Sequence, residues 1–317
     1  MTILNETAIR LPEVELNIYK PENPVEVPVV KSEIATDAAS PNFVRHIEFD
    51  VSGTDLENKV LPGQALGVIA DGKDEKGRPH KVRLYSICSP TGGEDGKGKI
   101  YATIVKRVID EHWETQKLFT GVCSNFLCDR LKGDKIRMTG PSGKRFLLPE
   151  NAEDYNFVLM ATGTGISPFR GMVIDLMRNS ALASNGNEVF LVFGCPYRTD
   201  LLYKSLFDEY DAEHKHFHYL KAISREDPRP DGTKPYVQYT LIDRKELLLP
   251  VLQRENTLIY ICGLKGMETG IFKILARMGL YEYMRVHDEL RDVNPLDWTR
   301  DQLKTIKPDE RAFLEVY

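Results

Sequence analysis

Arg83-Leu84-Tyr85-Ser86 and Gly121-Val122-Cys123-Ser124 are the two stretches that decide the fold predicted for this chain of 317 residues. The first joins a cation, an aromatic ring and a hydroxyl at a predicted strand, and the second is a predicted turn ahead of a helix. Two glycine-rich turns follow in the second half, at residues 163–168 and 262–268. Together these motifs predict a site for a flavin with a pyrophosphate tail and a site for a second nucleotide, which indicates electron transfer.

The apolar pattern divides the chain into an all-β half and an α/β half. Before Pro149 the apolar residues form short β-branched runs separated by Gly, Pro and Asp turns. Examples are residues 44–49, 65–69 and 100–105. Beyond Pro149, apolar strands alternate with amphipathic segments, as in a parallel sheet covered by helices. We predict an N-terminal arm over residues 1–24, an antiparallel β-barrel domain over residues 25–150 and a Rossmann-like parallel-sheet domain over residues 151–317.

Composition excludes several classes of protein. The chain is 42% hydrophobic and 28% charged with a formal net charge of −5, so its overall charge does not favour nucleic acid. No apolar run is long enough to span a bilayer, and the first ten residues lack the features of a secretory signal. The five cysteines have no metal-ligand spacing and predict reduced thiols without disulfides or a metal. We expect a monomer in a bacterial-type cytoplasm, in preference to a plastid stroma.

The two motifs of the first half suit a flavin dinucleotide. Arg83 can hold pyrophosphate oxygens, Tyr85 can stack on the isoalloxazine ring, and Ser86 can donate to N5, the flavin atom that accepts a hydride. A strand with an exposed arginine and a core tyrosine is the alternative. The second motif predicts a turn before a helix over residues 126–131, whose free N–H groups favour a phosphate. A helix capped by Ser124 is the alternative there.

The second nucleotide is predicted at the carboxyl ends of the parallel strands. Gly163-Thr164-Gly165 follows an apolar strand and precedes a helix opened by Pro168, so its bare N–H groups can approach a pyrophosphate closely. The next candidate group, which suits a 2′-phosphate, comprises Ser224, Arg225, Lys234 and Tyr236. A solvated loop of mixed charge is the alternative to this phosphate site.

An acidic residue directly at that strand end would instead select the free ribose hydroxyl of NAD. Glu226 and Asp227 lie one position too far along the chain for this role, and they follow directly after Arg225. The sequence therefore favours NADPH over NADH.

The last strand and the terminus add candidate catalytic residues. Cys262 closes the last strong apolar strand, where a small side chain leaves room for a nicotinamide ring; a core cysteine is the alternative. Glu315 and the terminal Tyr317 place a carboxylate and an aromatic ring where they could cover a flavin face. A frayed tail is the alternative for these last residues.

These motifs resemble the plant-type ferredoxin–NADP reductases, a family of FAD flavoproteins, from about Tyr19 to Tyr317. The matching stretches are residues 19–21, 77–81, 83–86, 121–128, 139–144, 201–204, 224–226 and 260–268. The resemblance implies a barrel that binds FAD and an α/β domain that binds NADP(H). It also implies hydride transfer between NADP(H) and FAD, and single-electron transfer between FAD and a small acidic ferredoxin or flavodoxin.

The resemblance assigns roles to individual residues. The FAD set is Arg83, Leu84, Tyr85, Ser86, Ile104, Val105, Lys106, Val122, Cys123 and Ser124. The NADP set, with the two glycines of the first glycine-rich turn, is Gly163, Thr164, Gly165, Cys195, Pro196, Ser224, Arg225, Lys234, Tyr236, Gly263 and Leu264. The catalytic positions are Ser86, Cys262, Glu315 and Tyr317.

Two positions depart from the family pattern. The family usually has a tyrosine that stacks on the FAD adenine where this chain has Asp110, and His112 or Trp113 are candidate replacements unless FAD bends differently. Ser167 stands where the family usually has alanine, and the sequence alone predicts no consequence.

A basic cluster beside the flavin motif suits an acidic protein partner. Its members are Lys73, Lys76, Arg78 and Lys81. We predict that this cluster docks a ferredoxin or flavodoxin, and a solvated charged loop is the alternative. Two other functions stay open: a reductase component that feeds an oxygenase, and a flavin- or nucleotide-binding regulator without turnover.

Overall fold

The first half of the protein is an antiparallel barrel in a computed structural model that describes residues 8–111 and 114–317. Its elements are β1 (Val25–Ile34), β2 (Val44–Asp50), β3 (Ala65–Ile69), β4 (Arg83–Ser86), β5 (Ile100–Lys106), β6 (Ile109–Glu111), β7 (Leu118–Thr120), α1 (Val122–Cys128) and β8 (Lys135–Ser142). Six strands form one sheet in the order β4-β3-β8-β1-β2-β5, and every pair is antiparallel. A bridge between Ile87 and Thr103 joins the two edges of the sheet and closes the barrel.

Alternating side chains fill the barrel. Val27, Val29, Ile47, Phe49 and other buried residues of its strands form one apolar cluster. Because successive side chains of a strand point to opposite faces, these odd-numbered positions line the interior together. The closed barrel therefore has its own core.

The described part of the predicted arm lies against the barrel. Asn17 N donates to Pro141 O at 2.9 Å, and Tyr19 N donates to Gly140 O at 3.1 Å. Residues 1–7 lie outside the described part of the chain.

The second half is a parallel sheet with helices on both faces. Its strands and helices are β9 (Asn156–Thr162), α2 (Ile166–Arg178), α3 (Ser180–Ser184), β10 (Val189–Cys195), α4 (Lys204–Glu213), β11 (Phe217–Ile223), α5 (Thr240–Asp243), α6 (Lys245–Leu252), β12 (Thr257–Gly263), α7 (Met267–Arg277), β13 (Met284–Arg285), α8 (Asp288–Arg291), α9 (Arg300–Thr305), β14 (Lys307–Pro308) and β15 (Ala312–Val316). Five strands pair in parallel in the order β11-β10-β9-β12-β15.

Each face of this sheet carries an apolar core. In β9, Phe157 and Leu159 belong to one buried cluster, whereas Val158 and Met160 belong to the other. A strand that is buried on both faces reads as a continuous apolar run, which explains why the sequence pattern predicted a covered parallel sheet. The predicted fold class is confirmed. The predicted domain boundary at residue 150 falls in the connection between β8 and β9, and it stays a prediction.

A buried ion pair ties the two halves together. Arg170 of α2 donates to both carboxylate oxygens of Glu94, at 2.6 and 3.1 Å, and also to Cys88 O at 3.0 Å. Both charged side chains are only 15% exposed. A planar guanidinium that meets a carboxylate through two bonds fixes orientation as well as distance.

A histidine stands beside this ion pair. His46 shares hydrogen bonds with Tyr203 OH at 2.8 Å and with Glu48 at 3.2 Å. His46, Glu48 and Glu94 place one possible ligand atom each within 4.8 Å of one another. Glu94 is already bound by Arg170, so the group is better described as a polar network between the two halves than as a metal site.

Within the residues that the structure describes, none of the helices combines the length and the apolar character needed to cross a bilayer.

Candidate active site

The order of the parallel strands determines where a ligand can enter. Numbered along the chain, the five strands lie in the order third, second, first, fourth, fifth, so the order reverses between β9 and β12. In open α/β sheets, ligands bind in the crevice beyond the carboxyl ends of the strands at this reversal. The candidate site therefore begins at the turns after Thr162 and Gly263.

Two glycines allow these turns to touch. A Cβ atom at Gly165 would lie 2.2 Å from Cys262 O, which leaves no room for a side chain. Gly263 has a φ of +144°, a conformation that L side chains rarely adopt, and a Cβ there would lie 2.2 Å from Thr162 Oγ1. Close backbone contact thus requires glycine at both predicted nucleotide-binding turns.

The terminal strand carries the predicted carboxylate to the site. In β15, Glu315 pairs in register with Cys262 of β12. Its Oε1 accepts a hydrogen bond from Ser86 Oγ of β4 at 3.4 Å. Three of the four predicted catalytic residues therefore meet where the barrel faces the parallel sheet.

Glu315 has an unusual environment for a carboxylate. Its Oε2 is buried and has no hydrogen-bond partner among the described residues. Burial raises the pKa of Glu315 to about 7, although the hydrogen bond from Ser86 acts in the opposite direction. The side chain can therefore hold or release a proton near neutral pH.

Cys262 is fully buried, as the alternative of a core cysteine also predicts. Burial, followed by the nearby Glu315, raises the pKa of its thiol well above the usual value. Cys262 is therefore an uncharged thiol at neutral pH.

The terminal residue is held in place and is not a frayed tail. Tyr317 N donates to Gly263 O at 3.1 Å, and its own carbonyl accepts from Lys265 N at 2.9 Å. The hydroxyl groups of Tyr317 and Thr164 share a hydrogen bond of 2.7 Å. The residue as a whole nevertheless remains 56% exposed.

The flavin motif presents apolar surface beside polar groups. Arg83 and Leu84 are exposed, and Tyr85 is half-buried against Cys123, a surrounding that raises the pKa of the tyrosine. Val122 is also exposed. A planar ring would cover this surface.

The helix after the second motif begins earlier than the sequence predicts. Residues 122–124 form the first turn of α1, whereas we expected the helix to begin at residue 126. Gly121 precedes the helix and no side chain caps it, while Ser124 Oγ donates back to Gly121 O at 3.1 Å. The uncapped N–H groups at the start of α1 fit an anionic pyrophosphate. The Glu315 Oε2 atom that lacks a partner is a second polar group open to a ligand, and both observations fit a bound flavin dinucleotide.

Some predicted FAD residues can contribute only their backbone. Ile104 and Val105 of β5 are buried in the cores, and Cys123 donates its thiol to Val68 O at 3.8 Å. Lys106 at the end of the same strand is exposed. The structure thus brings these residues to the flavin side without exposing every side chain.

A hairpin of β6 and β7 carries the position where the family's tyrosine is missing. Asp110 pairs directly with Phe119 across the hairpin. Directly paired residues of antiparallel strands project to the same face, and Phe119 is 49% exposed. Sequence reasoning missed Phe119; the candidates that it named, His112 and Trp113, lie outside the described residues.

The predicted NADP residues converge after β10 and β11. Ser224 N donates to Cys195 O at 2.9 Å, and Arg225 N donates to Pro196 O at 3.0 Å. Cys195 is itself buried, and burial raises the pKa of its thiol to about 12. The remaining members of the predicted 2′-phosphate group, Lys234 and Tyr236, are exposed.

Ser167 has a role that the sequence did not reveal. Its hydroxyl donates to Ser86 O at 2.7 Å, and Thr103 Oγ1 donates to the same oxygen at 2.8 Å. Ser167 belongs to α2 and Thr103 to β5, so both halves hold the backbone of the flavin motif.

The fold and the site define a two-domain oxidoreductase in which a barrel faces a nucleotide-binding parallel sheet. Residues 159–273 match the family model described as "Oxidoreductase NAD-binding domain". The chain is 37% identical to a ferredoxin–NADP reductase of Spirulina sp., over 96% of this chain and 99% of that protein. It is also 37% identical to the chloroplastic leaf isozyme 1 of ferredoxin–NADP reductase from Oryza sativa subsp. indica, over 95% of this chain and 79% of that protein. The chain therefore belongs to the ferredoxin–NADP reductase family.

Solved structures agree on the fold. Ferredoxin-NADP+ reductase from Plasmodium falciparum matches with a TM-score of 0.69 at 24% identity, over 95% of this chain and 99% of that one. The same protein solved with 2′P-AMP matches with a TM-score of 0.70 at 24% identity, over 96% of this chain and 100% of that one.

Family membership confirms several predictions made from the sequence. These are the resemblance itself, the oxidoreductase activity of a ferredoxin–NADP reductase, and FAD and NADP(H) as cofactors. It does not favour an oxygenase component or a regulator without turnover. The roles of individual residues stay predictions.

We predict that Glu315 makes stability depend on pH. Because its pKa is higher in the folded state than in the unfolded chain, the folded state binds the proton more tightly and loses stability as pH rises from about 4.5 to about 7. Glu315→Gln should therefore gain roughly 2 kcal/mol of unfolding free energy relative to wild type between pH 5 and pH 8.

Urea unfolding at both pH values, without added nicotinamide nucleotide, measures this difference. The exposed carboxylate of Glu310 provides the control, and Glu310→Gln should follow wild type across the range. Parallel curves for wild type and Glu315→Gln would contradict the pH dependence.

Proposed function

We propose that hydride passes between NADP(H) and FAD at the junction of Ser86, Cys262, Glu315 and Tyr317, and that single electrons leave for ferredoxin or flavodoxin. The observation that supports this most strongly is the hydrogen bond between Ser86 of the barrel and Glu315 of the parallel sheet. It joins the half predicted to bind FAD to the half predicted to bind NADP(H), and Glu315 keeps one oxygen without a partner there.

FAD supplies both two-electron exchange as hydride and one-electron exchange when it is bound. The Ser86 hydroxyl has one proton: it donates to Glu315 while that carboxylate is ionised, and it would be free to donate to flavin N5 when Glu315 is protonated and donates to Ser86 Oγ. With a pKa of about 7, Glu315 can also pass a proton to or from Ser86 during turnover. Cys262 places a small, uncharged thiol in the crevice and so leaves space for the nicotinamide.

The groups that hold FAD come from three places on the barrel. Arg83 binds the pyrophosphate as a permanently charged donor, and the first turn of α1 adds N–H groups. Tyr85 packs on the isoalloxazine. Phe119 takes the adenine, since it shares a face of the hairpin with Asp110, where the family's stacking tyrosine would stand.

The 2′-phosphate of NADP(H) binds to Ser224, Arg225, Lys234 and Tyr236. Within residues 8–111 and 114–317, neither Arg225 nor Lys234 forms an ion pair, so both charges are available to a phosphate. Tyr317 covers the nicotinamide position while it bonds to Thr164, and it must move before the nicotinamide can approach the flavin. The cytoplasmic compartment and the monomeric state stay predictions from the sequence.

An anaerobic titration of the purified enzyme with NADPH and, in parallel, with NADH tests this function. We expect the flavin absorbance to bleach at much lower NADPH than NADH. In Tyr317→Ser the cover is lost, so NADPH should bind more tightly and the preference over NADH should shrink. A wild-type enzyme that retains no flavin after FAD is added would contradict the proposal.

Phe119→Ser should weaken FAD binding by about tenfold, since stacking on a base is worth roughly 1–3 kcal/mol. Fluorescence titration of the FAD-free protein with FAD measures this affinity. Leu118→Ser is the matched control, because Leu118 is exposed on the same strand but projects to the opposite face. Equal losses in both variants, or none in Phe119→Ser, would assign the adenine elsewhere.

The basic cluster divides into paired and unpaired charges. Asp74 accepts two hydrogen bonds from the Arg78 side chain, at 3.0 and 2.8 Å, so this arginine stabilises the loop. Lys73, Lys76 and Lys81 are exposed and form no ion pair in the part of the chain that the structure describes. We propose these three lysines as the docking charges for an acidic ferredoxin or flavodoxin.

Raising salt should slow electron transfer to ferredoxin while it spares reduction of a small dye, because screening acts on docking. A triple variant, Lys73→Glu with Lys76→Glu and Lys81→Glu, should lose about tenfold in the ferredoxin-dependent rate at low salt. Steady-state rates with both acceptors measure the effect, and Lys304→Glu on α9 is the control. Equal losses with dye and ferredoxin would argue against docking at this cluster.

A further inference from the structure

The turn after β11 contains two carboxylates next to the proposed 2′-phosphate site. Glu226 N and Asp227 N both donate to Ile223 O, at 3.4 and 3.2 Å, so the turn folds back on the end of the strand. Both carboxylates therefore stand within a residue or two of Arg225. Left unpaired, they would repel a phosphate dianion and could accept hydrogen bonds from a free ribose hydroxyl.

Arg198 binds both of these carboxylates. Its backbone N–H donates to Glu226 Oε2 at 2.9 Å, and its Nε lies 3.7 Å from the same oxygen. Its Nη2 donates to Asp227 Oδ1 at 2.5 Å. One arginine in the loop after β10 thus binds and orients both acids of the loop after β11 and offsets one of their two negative charges.

A second arginine likewise binds two carboxylates, in the loop that follows. Arg229 donates to Asp243 through Nε and Nη2, at 2.9 and 2.8 Å, and to Asp231 through Nη1 at 3.1 Å. Its guanidinium also lies over the ring of Tyr239, 4.4 Å from the centroid. Two arginines therefore occupy four carboxylates around this site.

The cations that remain match the charge of the ligand. Arg225 meets only neutral groups through its side chain: it donates to Tyr197 OH at 3.0 Å and lies 5.4 Å from the centroid of that ring. Together with Lys234 it gives two positive charges without acidic partners in the described chain. A phosphate monoester carries about −1.5 to −2 at neutral pH, so two cations without acidic partners are the groups best able to bind it.

We propose that Arg198 is a specificity-determining residue for NADP(H), which acts through Glu226 and Asp227 and does not bind the phosphate itself. The inference rests on the proposed placement of the 2′-phosphate at Ser224 and Arg225. By holding both carboxylates, Arg198 lowers their repulsion of the phosphate and denies NADH an acceptor for its ribose hydroxyl. It is a positioning residue, which leaves Arg225 and Lys234 to bind the ligand.

The expected effect is electrostatic. Arg198 is 59% exposed, so its ion pairs contribute little to the stability of the fold. Two carboxylates near a dianion still repel it over several ångströms, and salt screens that repulsion. The effect of removing Arg198 should therefore be largest at low ionic strength.

The test measures binding to the FAD-loaded enzyme by calorimetry at low salt. The probes are 2′,5′-ADP and 5′-AMP, which differ only by the 2′-phosphate. Arg198→Ala should weaken 2′,5′-ADP by about tenfold, and it should bind 5′-AMP at least as tightly as wild type because the released carboxylates can accept from the free ribose hydroxyl. Adding Glu226→Gln and Asp227→Asn to Arg198→Ala should restore binding of 2′,5′-ADP to within about threefold of wild type. Lys304→Ala, which removes a remote exposed ion pair on α9, is the control.

Two results would overturn the inference. If Arg198→Ala binds 2′,5′-ADP like wild type, the carboxylates do not need neutralisation. If the triple variant binds it no better than Arg198→Ala, then Arg198 is a direct ligand and not a positioning residue.

Arg225→Ala separates this inference from the proposed function. If Arg225→Ala loses the preference for 2′,5′-ADP while Arg198→Ala keeps it, only the inference about Arg198 fails. If Arg225→Ala also keeps the preference, the placement of the 2′-phosphate at this turn fails with it.

Discussion

The carbonyl oxygen of Ser86 is the point on which the arrangement of the two sheets depends. Thr103 of the barrel and Ser167 of α2 both donate to this oxygen, while the Ser86 side chain reaches Glu315 of the terminal strand. One residue therefore forms hydrogen bonds with both halves of the protein. Since a buried carbonyl must be paired, neither half can move away without losing a hydrogen bond. The relation between the flavin side and the nicotinamide side follows from this shared residue.

Charge pairing distinguishes the groups that hold the protein together from those that are free to act. The buried pair of Arg170 and Glu94 is bidentate and nearly dry, which suits a structural link between the halves. Around the pyridine-nucleotide loops, Arg198 and Arg229 each pair with two carboxylates. Arg225 and Lys234 form no ion pair in the described chain and one oxygen of Glu315 has no partner, and the proposed function places a ligand beside each of them.

The sequence predicts the elements and turns that depend on a local pattern of residues. It does not predict contacts between residues that are far apart in the chain. The strand expected at residues 65–69 coincides with β3, and the motifs converge because glycines and strand ends leave few other arrangements. Ser167 escaped interpretation because it lies on helix α2 and its partner Ser86 lies far away in the sequence, on a strand of the barrel. Phe119 escaped because only the pairing of β6 with β7 places it opposite Asp110. The start of α1 was wrong because nothing in the motif itself shows that Gly121, and not a polar side chain, precedes the helix.

Buried sulfur has a consequence for the durability of the enzyme. An enzyme that handles electrons one at a time can also pass them to oxygen, and the products oxidise thiols. Only the thiolate reacts quickly, and burial holds both Cys262, at the centre of the site, and Cys195, beneath the nucleotide loops, in the protonated form. Burial thus keeps these two sulfur atoms in their less reactive form. The fold that assembles the catalytic crevice also protects it against self-inflicted oxidative damage.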